Sequence, residues 1–245
     1  MKYGTREWLE SQYDAGPDDP WGLDWRQSQQ YRYQRMLSSL REVTAPNWVP
    51  QRILDAGCAT GSFTDSLSVF APTARVFGID IAEAAVSRAR IRHPHIEFER
   101  MSLAECALKY SSSFDLVTCL EVLYYLPATE RAIALRQLSS LLQPGGILLV
   151  SSMTANPPYM SLDELTQLVS KELPIVFSGQ LYLKPIVLWE KMQMRLSLKR
   201  AGEGGGCQLQ GCVVNTQKIQ SVERWSKRLF GAGAKSHGFV LARRD

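Results

Sequence analysis

The sequence lacks the patterns that identify several large classes of protein. Its 245 residues contain no internal repeat, no low-complexity tract and no run of 18 consecutive apolar residues. The first residues, MKYGTREWLESQYDAG, are polar and aromatic, whereas a secretory signal has a basic start followed by an apolar stretch. We therefore expect a soluble, cytoplasmic protein without a membrane span.

Cysteine and histidine, which often hold metal ions, are also scarce. The cysteines are odd in number and form no CxxC pair: Cys58, Cys106, Cys119, Cys207 and Cys212. We interpret them as small buried side chains and expect neither a metal site nor a disulfide. Two of the three histidines, His93 and His95, lie between a predicted helix and a predicted strand, away from the expected site. We assign these two no catalytic role.

Charge is distributed unevenly along the chain. Residues 151–245 carry 13 basic and 7 acidic side chains, whereas residues 1–150 carry 15 basic and 17 acidic ones. We interpret the basic third as a solvated face, with contact to phosphate or to a membrane surface as the alternative. No aromatic RNA-binding strand motif is present, so nucleic acid is not the expected partner. An apolar content of 45% favours one domain with additional segments.

The most informative segment is QRILDAGCATGSFTD, residues 51–65, in which an apolar run passes through two glycines into a helix start. Glycine permits a sharp turn close to a ligand, and the following helix directs free amide groups at that ligand. A second apolar run, RVFGID, ends in Asp80, which follows Gly57 by 23 residues. A carboxylate that binds ribose hydroxyls is found at an offset of roughly 20 residues. The two segments predict a nucleoside pocket.

The glycine spacing indicates which nucleoside is bound. The motif GxGxxG is absent, which argues against a nicotinamide dehydrogenase. The segment resembles the first motif of class I S-adenosylmethionine methyltransferases, an acidic residue followed by GxGxG, here Asp55, Gly57, Ala59 and Gly61. Four further segments follow in the order of that family: GIDIAEAAVSRAR, IEFERMSLAE, FDLVTCLEVLYYL and LLQPGGILLVSS. The resemblance covers residues 51–152, and GFVLARR is the expected last strand.

The fold class follows from this resemblance and from the alternation of apolar strands with amphipathic helices. We expect an α/β, Rossmann-like class I methyltransferase fold with a seven-stranded, mostly parallel sheet and helices on both faces. An N-terminal lid helix and a helical insertion before the last strand complete it. The resemblance implies S-adenosyl-L-methionine as cofactor. It places these residues at the cofactor: Asp55, Gly57, Cys58, Ala59, Gly61, Asp80, Ile81, Ser102, Leu103 and Leu120.

Three residues are candidates for catalysis. Glu121 follows the fourth strand at the pocket edge, and a carboxylate buried there without a role would be costly. It is either a general base or an anchor for backbone amides or the cofactor's ammonium group. Tyr124 can supply an aromatic wall or a hydroxyl. His237 is the competing base, because the resemblance implies an antiparallel last strand, which would begin at this same edge.

Two segments outside the core are expected to shape the acceptor site. Residues 1–45 are rich in aromatic side chains, which we expect to be exposed, and contain a helix from about Ser28 to Arg41, interpreted as a lid or as a surface helix. The core spans 46–155, the insertion 156–235 and the last strand 236–245. Candidate substrate-binding residues are Tyr13, Trp21, Tyr31 and Tyr125.

The insertion is predicted to contain two helices. A capping box starts the first at Ser161, and the second runs from Pro185 to Gly202, with a strand at 192–198 as the alternative. The second helix has two apolar faces, of which one is expected on the core and the other on substrate or a second subunit. A homodimer is therefore possible.

Three local features are similar to nodulation-type N-methyltransferases, which modify the amino group of a chitooligosaccharide. They are the DPW segment at 19–21, the glutamate and tyrosine pair of LEVLYYL, and the PGG before the fifth strand. This similarity implies methyl transfer to an amine or hydroxyl of a small molecule, sugar, glycolipid or secondary metabolite. The alternatives are an RNA methyltransferase that uses the basic third of the chain, or a catalytically silent S-adenosylmethionine-binding protein.

Overall fold

A computed structural model describes residues 3–14, 19–201 and 216–245. The helices and strands follow in this order: α1 (Arg6–Asp14), α2 (Gln27–Val43), β1 (Arg52–Ala56), α3 (Ser62–Phe70), β2 (Arg75–Asp80), α4 (Glu83–Arg92), β3 (Glu97–Arg100), α5 (Leu103–Lys109), β4 (Phe114–Leu120), α6 (Ala128–Leu141), β5 (Leu142–Met153), α7 (Leu162–Ser170), β6 (Ile175–Leu181), α8 (Lys184–Ala201), α9 (Thr216–Phe230) and β7 (His237–Arg243). Short 3-10 turns span Leu123–Tyr125 and Gly231–Ala234.

The seven strands form one sheet in the order β3-β2-β1-β4-β5-β7-β6. Strands β1 to β5 are parallel, and β7 is antiparallel to both of its neighbours. Because β7 begins where β5 ends, His237 pairs with Met153. This arrangement confirms the predicted sheet and brings the start of β7 to the carboxyl ends of the parallel strands.

Alternate strand residues build one core on each face of the sheet. Leu54, Val117 and Leu148 pack with the apolar sides of α5, α6 and α7. Their neighbours Ile53, Leu116 and Leu149 pack on the other face, together with residues of α2 and α3 such as Met36 and Leu67. The prediction of helices on both faces is therefore confirmed.

Strand β6 was not predicted, since the insertion was expected to be helical. It is an edge strand whose side chains are half-buried, so its apolar pattern is weak. Gly179 lies in it because a Cβ there would come within 2.4 Å of the Phe239 ring on β7. Both predicted helices are present: Ser161 and Glu164 form the capping box of α7, and α8 is a helix, not a strand, at 192–198. Helix α9 is a third helix of the insertion and was not predicted.

Three of the N-terminal aromatic side chains are buried, contrary to the prediction, whereas Tyr3 is 43% exposed. Tyr13, Tyr31 and Tyr33 retain 2%, 1% and 4% exposure because α1 and α2 pack against the body of the protein. Helix α2 begins and ends close to the predicted positions, whereas α1 was not predicted.

Three of the five cysteines lie in the described part of the chain. Cys58, Cys106 and Cys119 are buried free thiols, and burial raises the pKa of each. Cys207 and Cys212 lie outside the described residues. Within the described ranges, no helix is both long and apolar enough to cross a membrane.

Candidate functional site

A cavity of about 680 Å³ lies at the carboxyl ends of the strands. Residues that follow β1, β2, β3 and β4 line it, together with α1, α2, α6, α8 and the start of β7. Parallel α/β sheets bind ligands at this edge, where the strand order reverses. Its volume is within the range of roughly 300–1,000 Å³ typical of small-molecule sites.

The turn after β1 forms one wall of the cavity. The amides of Gly57 and Cys58 donate to the carbonyl oxygen of Ile79 at 2.8 and 2.9 Å, which ties the turn to β2. Gly57 has a φ of 81°, and Ala59 adopts a φ of 49°, a conformation that favours glycine. Ala59 therefore keeps the backbone of the glycine it replaces in the motif.

Gly61, predicted to contact the cofactor, does not line the cavity. It precedes α3 with a φ of 87°, and a Cβ there would lie 2.8 Å from the Phe98 ring and 2.9 Å from His93. The absence of a side chain at Gly61 thus leaves room for Phe98 and His93 beside the start of α3. A glycine motif alone cannot distinguish such packing from ligand contact.

Asp55 lies at the floor of the cavity and is almost fully buried. The hydroxyls of Thr64 and Thr118 each donate to one of its carboxylate oxygens at 2.7 Å. Burial raises the pKa of Asp55 to about 6, although both hydrogen bonds act in the opposite direction. These bonds hold β1, α3 and β4 together beneath the turn.

Asp80 ends β2 and presents a half-buried carboxylate to the cavity. Its two oxygens accept from the amides of Ala59 at 3.0 Å and Ala82 at 2.9 Å. Burial raises the pKa of Asp80, and these amides oppose the shift. Since each carboxylate oxygen can accept more than one hydrogen bond, both keep capacity for a ligand hydroxyl.

The remaining predicted cofactor residues form an apolar wall beside Asp80. Ile81, Leu103 and Leu120 line the cavity, with Met101 added by the structure. Ser102 also lines it, but its hydroxyl exchanges hydrogen bonds with Glu105 in the capping box of α5. The capping of α5 therefore explains why a serine stands at position 102.

Glu121 stands after β4 with a φ of 61°, a conformation uncommon for residues other than glycine. Its Oε1 accepts from the hydroxyl of Ser151 at 2.7 Å and lies 3.4 Å from a guanidinium nitrogen of Arg32. Its Oε2 is buried and has no hydrogen-bond partner among the described residues. Arg32, whose side chain is 3% exposed, also lines the cavity.

His237 lies in the same part of the cavity, at the start of β7. Burial lowers its pKa well below the ordinary value of 6.5, and the positive charges of Arg32 and Lys191 lower it further. The imidazole is therefore neutral at pH 7. Its Nδ1 is buried without a partner in the described part of the chain.

Aromatic side chains close the cavity on the side of α1. Tyr124 and Tyr125 have ring centroids 4.6 Å apart, and Trp21 lies 6.5 Å from Tyr125. The indole of Trp21 donates to the hydroxyl of Tyr13 at 3.3 Å. These four predicted residues line the cavity. Burial raises the pKa of Tyr124 well above its ordinary value.

Tyr31, the remaining substrate-binding candidate, does not line the cavity. Its ring belongs to the core beneath α2, and its hydroxyl donates to Glu223 of α9 at 2.7 Å. Tyr33, two residues further along α2, lines the cavity instead. Residues two apart on a helix face different directions, and the sequence did not show which of the two faces inward.

Arg32 and Lys191 were missed by the sequence analysis. Each lies on a helix that carries several other basic residues, so the sequence does not distinguish a charge that points into a cavity from one that points into solvent. Arg32 precedes Glu121 by 89 residues, so no local motif connects the pair.

Comparison with known proteins identifies the family. A family described as a methyltransferase domain matches residues 50–202. Nodulation protein S of Bradyrhizobium diazoefficiens is 35% identical over 140 residues, 55% of this chain and 63% of that protein. The ubiquinone biosynthesis O-methyltransferase of Albidiferax ferrireducens is 32% identical over 112 residues, 44% of this chain and 43% of that protein. The chain thus spans about half the length of these curated relatives.

Solved structures show the same fold over nearly the whole chain. The N-methyltransferase NodS from Bradyrhizobium japonicum, in complex with S-adenosyl-L-homocysteine, has a TM-score of 0.62 at 22% identity, covering 98% of each chain. Magnesium protoporphyrin IX methyltransferase from Synechocystis, with bound S-adenosylmethionine, has a TM-score of 0.60 at 16% identity, covering 98% and 97%. With the family match to more than half of its length, the chain belongs to the methyltransferase-domain family and has the class I methyltransferase fold.

Proposed function

We propose that this protein is an S-adenosylmethionine-dependent methyltransferase that methylates an amine of a small acceptor. The observation that carries the proposal is the single cavity, which joins the nucleoside-type wall at Gly57 and Asp80 to the buried group of Glu121, Arg32 and His237. Cofactor and acceptor can therefore meet in one enclosed space.

The residues of the first wall fit S-adenosylmethionine. Asp80 offers a half-buried carboxylate with remaining acceptor capacity, which suits the ribose hydroxyls. Ile81, Met101 and Leu103 offer an apolar surface, which suits the adenine ring. The cofactor supplies an electrophilic methyl group on a sulfonium.

The second group of residues suits an acceptor that donates hydrogen bonds. Glu121 Oε2 and His237 Nδ1 are buried without partners, and leaving such atoms unsatisfied costs about 1–3 kcal/mol each. An amine can donate to more than one acceptor, whereas a hydroxyl donates once. The full-length structural neighbour NodS is an N-methyltransferase, which favours the same acceptor class.

Glu121 is the proposed proton acceptor and His237 a hydrogen-bond partner. Protonation of His237 is disfavoured, because its pKa is lowered by burial and by Arg32 and Lys191. The carboxylate of Glu121 is fixed through its other oxygen by Ser151 and Arg32, so Oε2 is held in one place. Arg32 also offsets the negative charge of the carboxylate when it is not protonated.

The N-terminal segment is proposed as the lid that keeps water out. The rings of Trp8 and Tyr3 have centroids 5.9 and 5.4 Å from that of Tyr125, so α1 and Tyr3, which lies shortly before it, cover the aromatic side of the cavity. Excluding water strengthens electrostatic interactions in the site and prevents competing hydrolysis.

A binding and transfer assay with three variants tests the function. The wild-type protein should bind S-adenosylhomocysteine in calorimetry and methylate amino sugars or other small amines in preference to phenols and tRNA. Glu121→Gln should reduce turnover roughly 10²- to 10⁴-fold with nearly unchanged affinity for S-adenosylhomocysteine. Asp80→Ala should instead weaken the affinity for S-adenosylhomocysteine, by about 1.5–3 kcal/mol. His237→Asn should reduce turnover less than Glu121→Gln.

Each contrary result has a distinct meaning. If Glu121→Gln weakens cofactor binding first, Glu121 is a cofactor anchor, and a larger loss in His237→Asn makes the histidine the base. Methylation of phenols alone would replace the amine with a hydroxyl acceptor. Binding of S-adenosylhomocysteine without transfer to any acceptor would indicate a silent binding protein.

A further inference from the structure

Helix α9 exposes a stripe of apolar side chains that takes no part in the cavity. Val222, Trp225 and Leu229 recur at the spacing of one helix face and are 39%, 58% and 54% exposed. Phe230, 54% exposed at the end of the helix, packs against Trp225 with ring centroids 6.0 Å apart. Single exposed apolar residues are ordinary, but a contiguous group of large ones marks an interaction surface.

The face of α9 beside the stripe is anchored to the body of the protein, which fixes the direction in which the stripe points. Ile219 and Ser226 are buried. Glu223 accepts from the hydroxyl of Tyr31 on α2 at 2.7 Å and from the amide of Tyr182 at 3.0 Å. The helix cannot rotate its apolar stripe inward without breaking these contacts.

The charges of α9 are almost all of one sign. Its sequence carries four basic residues, Lys218, Arg224, Lys227 and Arg228. Its one acidic residue is Glu223, and the two hydrogen bonds above direct that carboxylate inward. The outer surface of α9 therefore combines Trp, Leu and Phe side chains with positive charge.

Helix α8, which lines the cavity with one face, also exposes large apolar side chains. Leu188, Trp189 and Met192 are 58%, 50% and 53% exposed. On the same helix, Val187 and Lys191 line the cavity. A surface that engages α8 would thus lie close to one wall of the acceptor site.

We propose that α9 docks the protein on an anionic membrane surface, with its apolar stripe in the headgroup boundary. A high proportion of polar residues, a Trp/Leu/Phe stripe and flanking Lys and Arg side chains are the features of helices that lie in the membrane interface. A second copy on this face would bring two sets of positive charges together, whereas anionic headgroups complement them. Because no described helix can span a bilayer, the association is peripheral.

Vesicle co-sedimentation tests the docking without any use of methyl transfer. The full-length protein should sediment with phosphatidylcholine vesicles that contain phosphatidylglycerol, less with pure phosphatidylcholine, and less in high salt. Trp225→Ser with Leu229→Ser should weaken binding at least 10-fold. Arg224→Gln with Arg228→Gln should weaken it about 25-fold, since each basic side chain near the surface contributes roughly fivefold.

Matched controls lie on other helices. Ile91→Ser with Leu108→Ser removes apolar side chains that are 80% and 88% exposed on α4 and α5, and should leave binding unchanged. Thermal unfolding of every variant checks folding, which exposed substitutions should preserve. Absence of vesicle binding, or equal losses in the control, would overturn the proposal. So would a dimer in ultracentrifugation that Trp225→Ser and Leu229→Ser dissociate, or binding to tRNA without binding to vesicles.

Discussion

Three of the described residues with positive φ lie at the cavity. Gly57, Ala59 and Glu121 have φ values of 81°, 49° and 61°, and all three line it. For the two that are not glycine, this conformation costs on the order of 1–3 kcal/mol. Such strain is retained where it directs a backbone amide or a side chain at a ligand, and here Ala59 directs its amide at Asp80.

Substitutions at Gly57 and Gly145 can distinguish the cost of backbone strain from the cost of steric contact. Gly57 and Gly145 have φ values of 81° and 79°, but a Cβ at Gly57 would lie 2.2 Å from Val122 Cγ2, whereas Gly145 has nothing within 4 Å. Gly145→Ala should destabilise by about 1–2 kcal/mol from the left-handed conformation alone. Gly57→Ala should destabilise the protein by about 1–3 kcal/mol more than Gly145→Ala, because of the contact with Val122. It should also weaken the binding of S-adenosylhomocysteine.

Denaturant unfolding and calorimetry of the two variants measure these losses. The double variant Gly57→Ala with Val122→Ala should recover part of the stability, because it removes the contacting methyl group. Equal losses in Gly57→Ala and Gly145→Ala would show that the contact with Val122 relaxes freely.

The lowered pKa of His237 should make the stability of the fold depend on pH. Its folded pKa lies well below its unfolded value of 6.5, so below pH 6.5 the unfolded state binds more protons and stability falls with falling pH. The full slope is 1.36 kcal/mol per pH unit, so wild type should lose about 1–2 kcal/mol more than His237→Gln between pH 6.5 and 5.

Urea unfolding of both proteins at pH 7, 6 and 5 checks this difference. Asp55 acts in the opposite direction, because its folded pKa of about 6 favours the folded state at low pH and that contribution is lost as pH rises through 6. Since Asp55 is present in both proteins, it cancels in the comparison. Parallel stability curves would show that His237 is protonated in the folded state.

At the scale of elements, the insertion holds the start of α2. Arg26, at the N-cap of this helix, makes no capping hydrogen bond with its side chain. Glu190 of α8 serves instead, since its two oxygens accept from the amide and the hydroxyl of Ser28 at 2.8 and 2.5 Å. The pair is buried, and the carboxylate also interacts favourably with the positive end of the helix dipole.

Glu190→Ala should therefore destabilise the protein by about 2–3 kcal/mol, because it leaves buried polar groups of Ser28 unsatisfied. Glu190→Gln should cost less, since the amide oxygen can still accept. The control is Glu97→Ala, which removes an ion pair with Arg75 whose side chains are 57% and 68% exposed, and should cost no more than about 1 kcal/mol. A Glu190→Ala loss no larger than that of Glu97→Ala in denaturant unfolding would contradict the capping role.

At the scale of the whole molecule, α1 is attached to the body mainly through the start of α4. The carboxylate of Glu10 accepts from the amides of Glu83 at 2.7 Å and Ala84 at 3.1 Å, and Arg88 donates to the carbonyl oxygen of Tyr13 at 2.9 Å. These contacts place the aromatic side of the proposed lid over the cavity.

Glu10→Ala should release bound S-adenosylhomocysteine about 10-fold faster, because the lost charge-assisted hydrogen bonds stabilise the closed position by about 1.5–3 kcal/mol and only part of that reaches the ligand. Stopped-flow displacement measures the rate, and Glu7→Ala on the same helix is the control. An unchanged release rate in Glu10→Ala would show that α1 does not gate the cavity.

Much of the architecture followed from local sequence. The parallel strands, the turn at Gly57 and the carboxylate of Asp80 were predictable because each depends on hydrophobic periodicity or on residues close together in the chain. The position of His237 followed from the antiparallel direction of the last strand. Strand β6 was missed, because an edge strand with half-buried side chains has little periodic signal.

Only the tertiary structure decided how distant segments combine. It placed Arg32 of α2 beside Glu121, turned Tyr31 into the core and Tyr33 to the cavity, and gave Gly61 a packing role. Helix rotation and long-range ion pairs depend on packing between segments far apart in sequence, so local patterns contain no record of them. The sequence by itself determined the fold and the cavity wall at Gly57 and Asp80, because these rest on short motifs. The opposite side of the cavity and the outward face of α9 arose from how the helices dock.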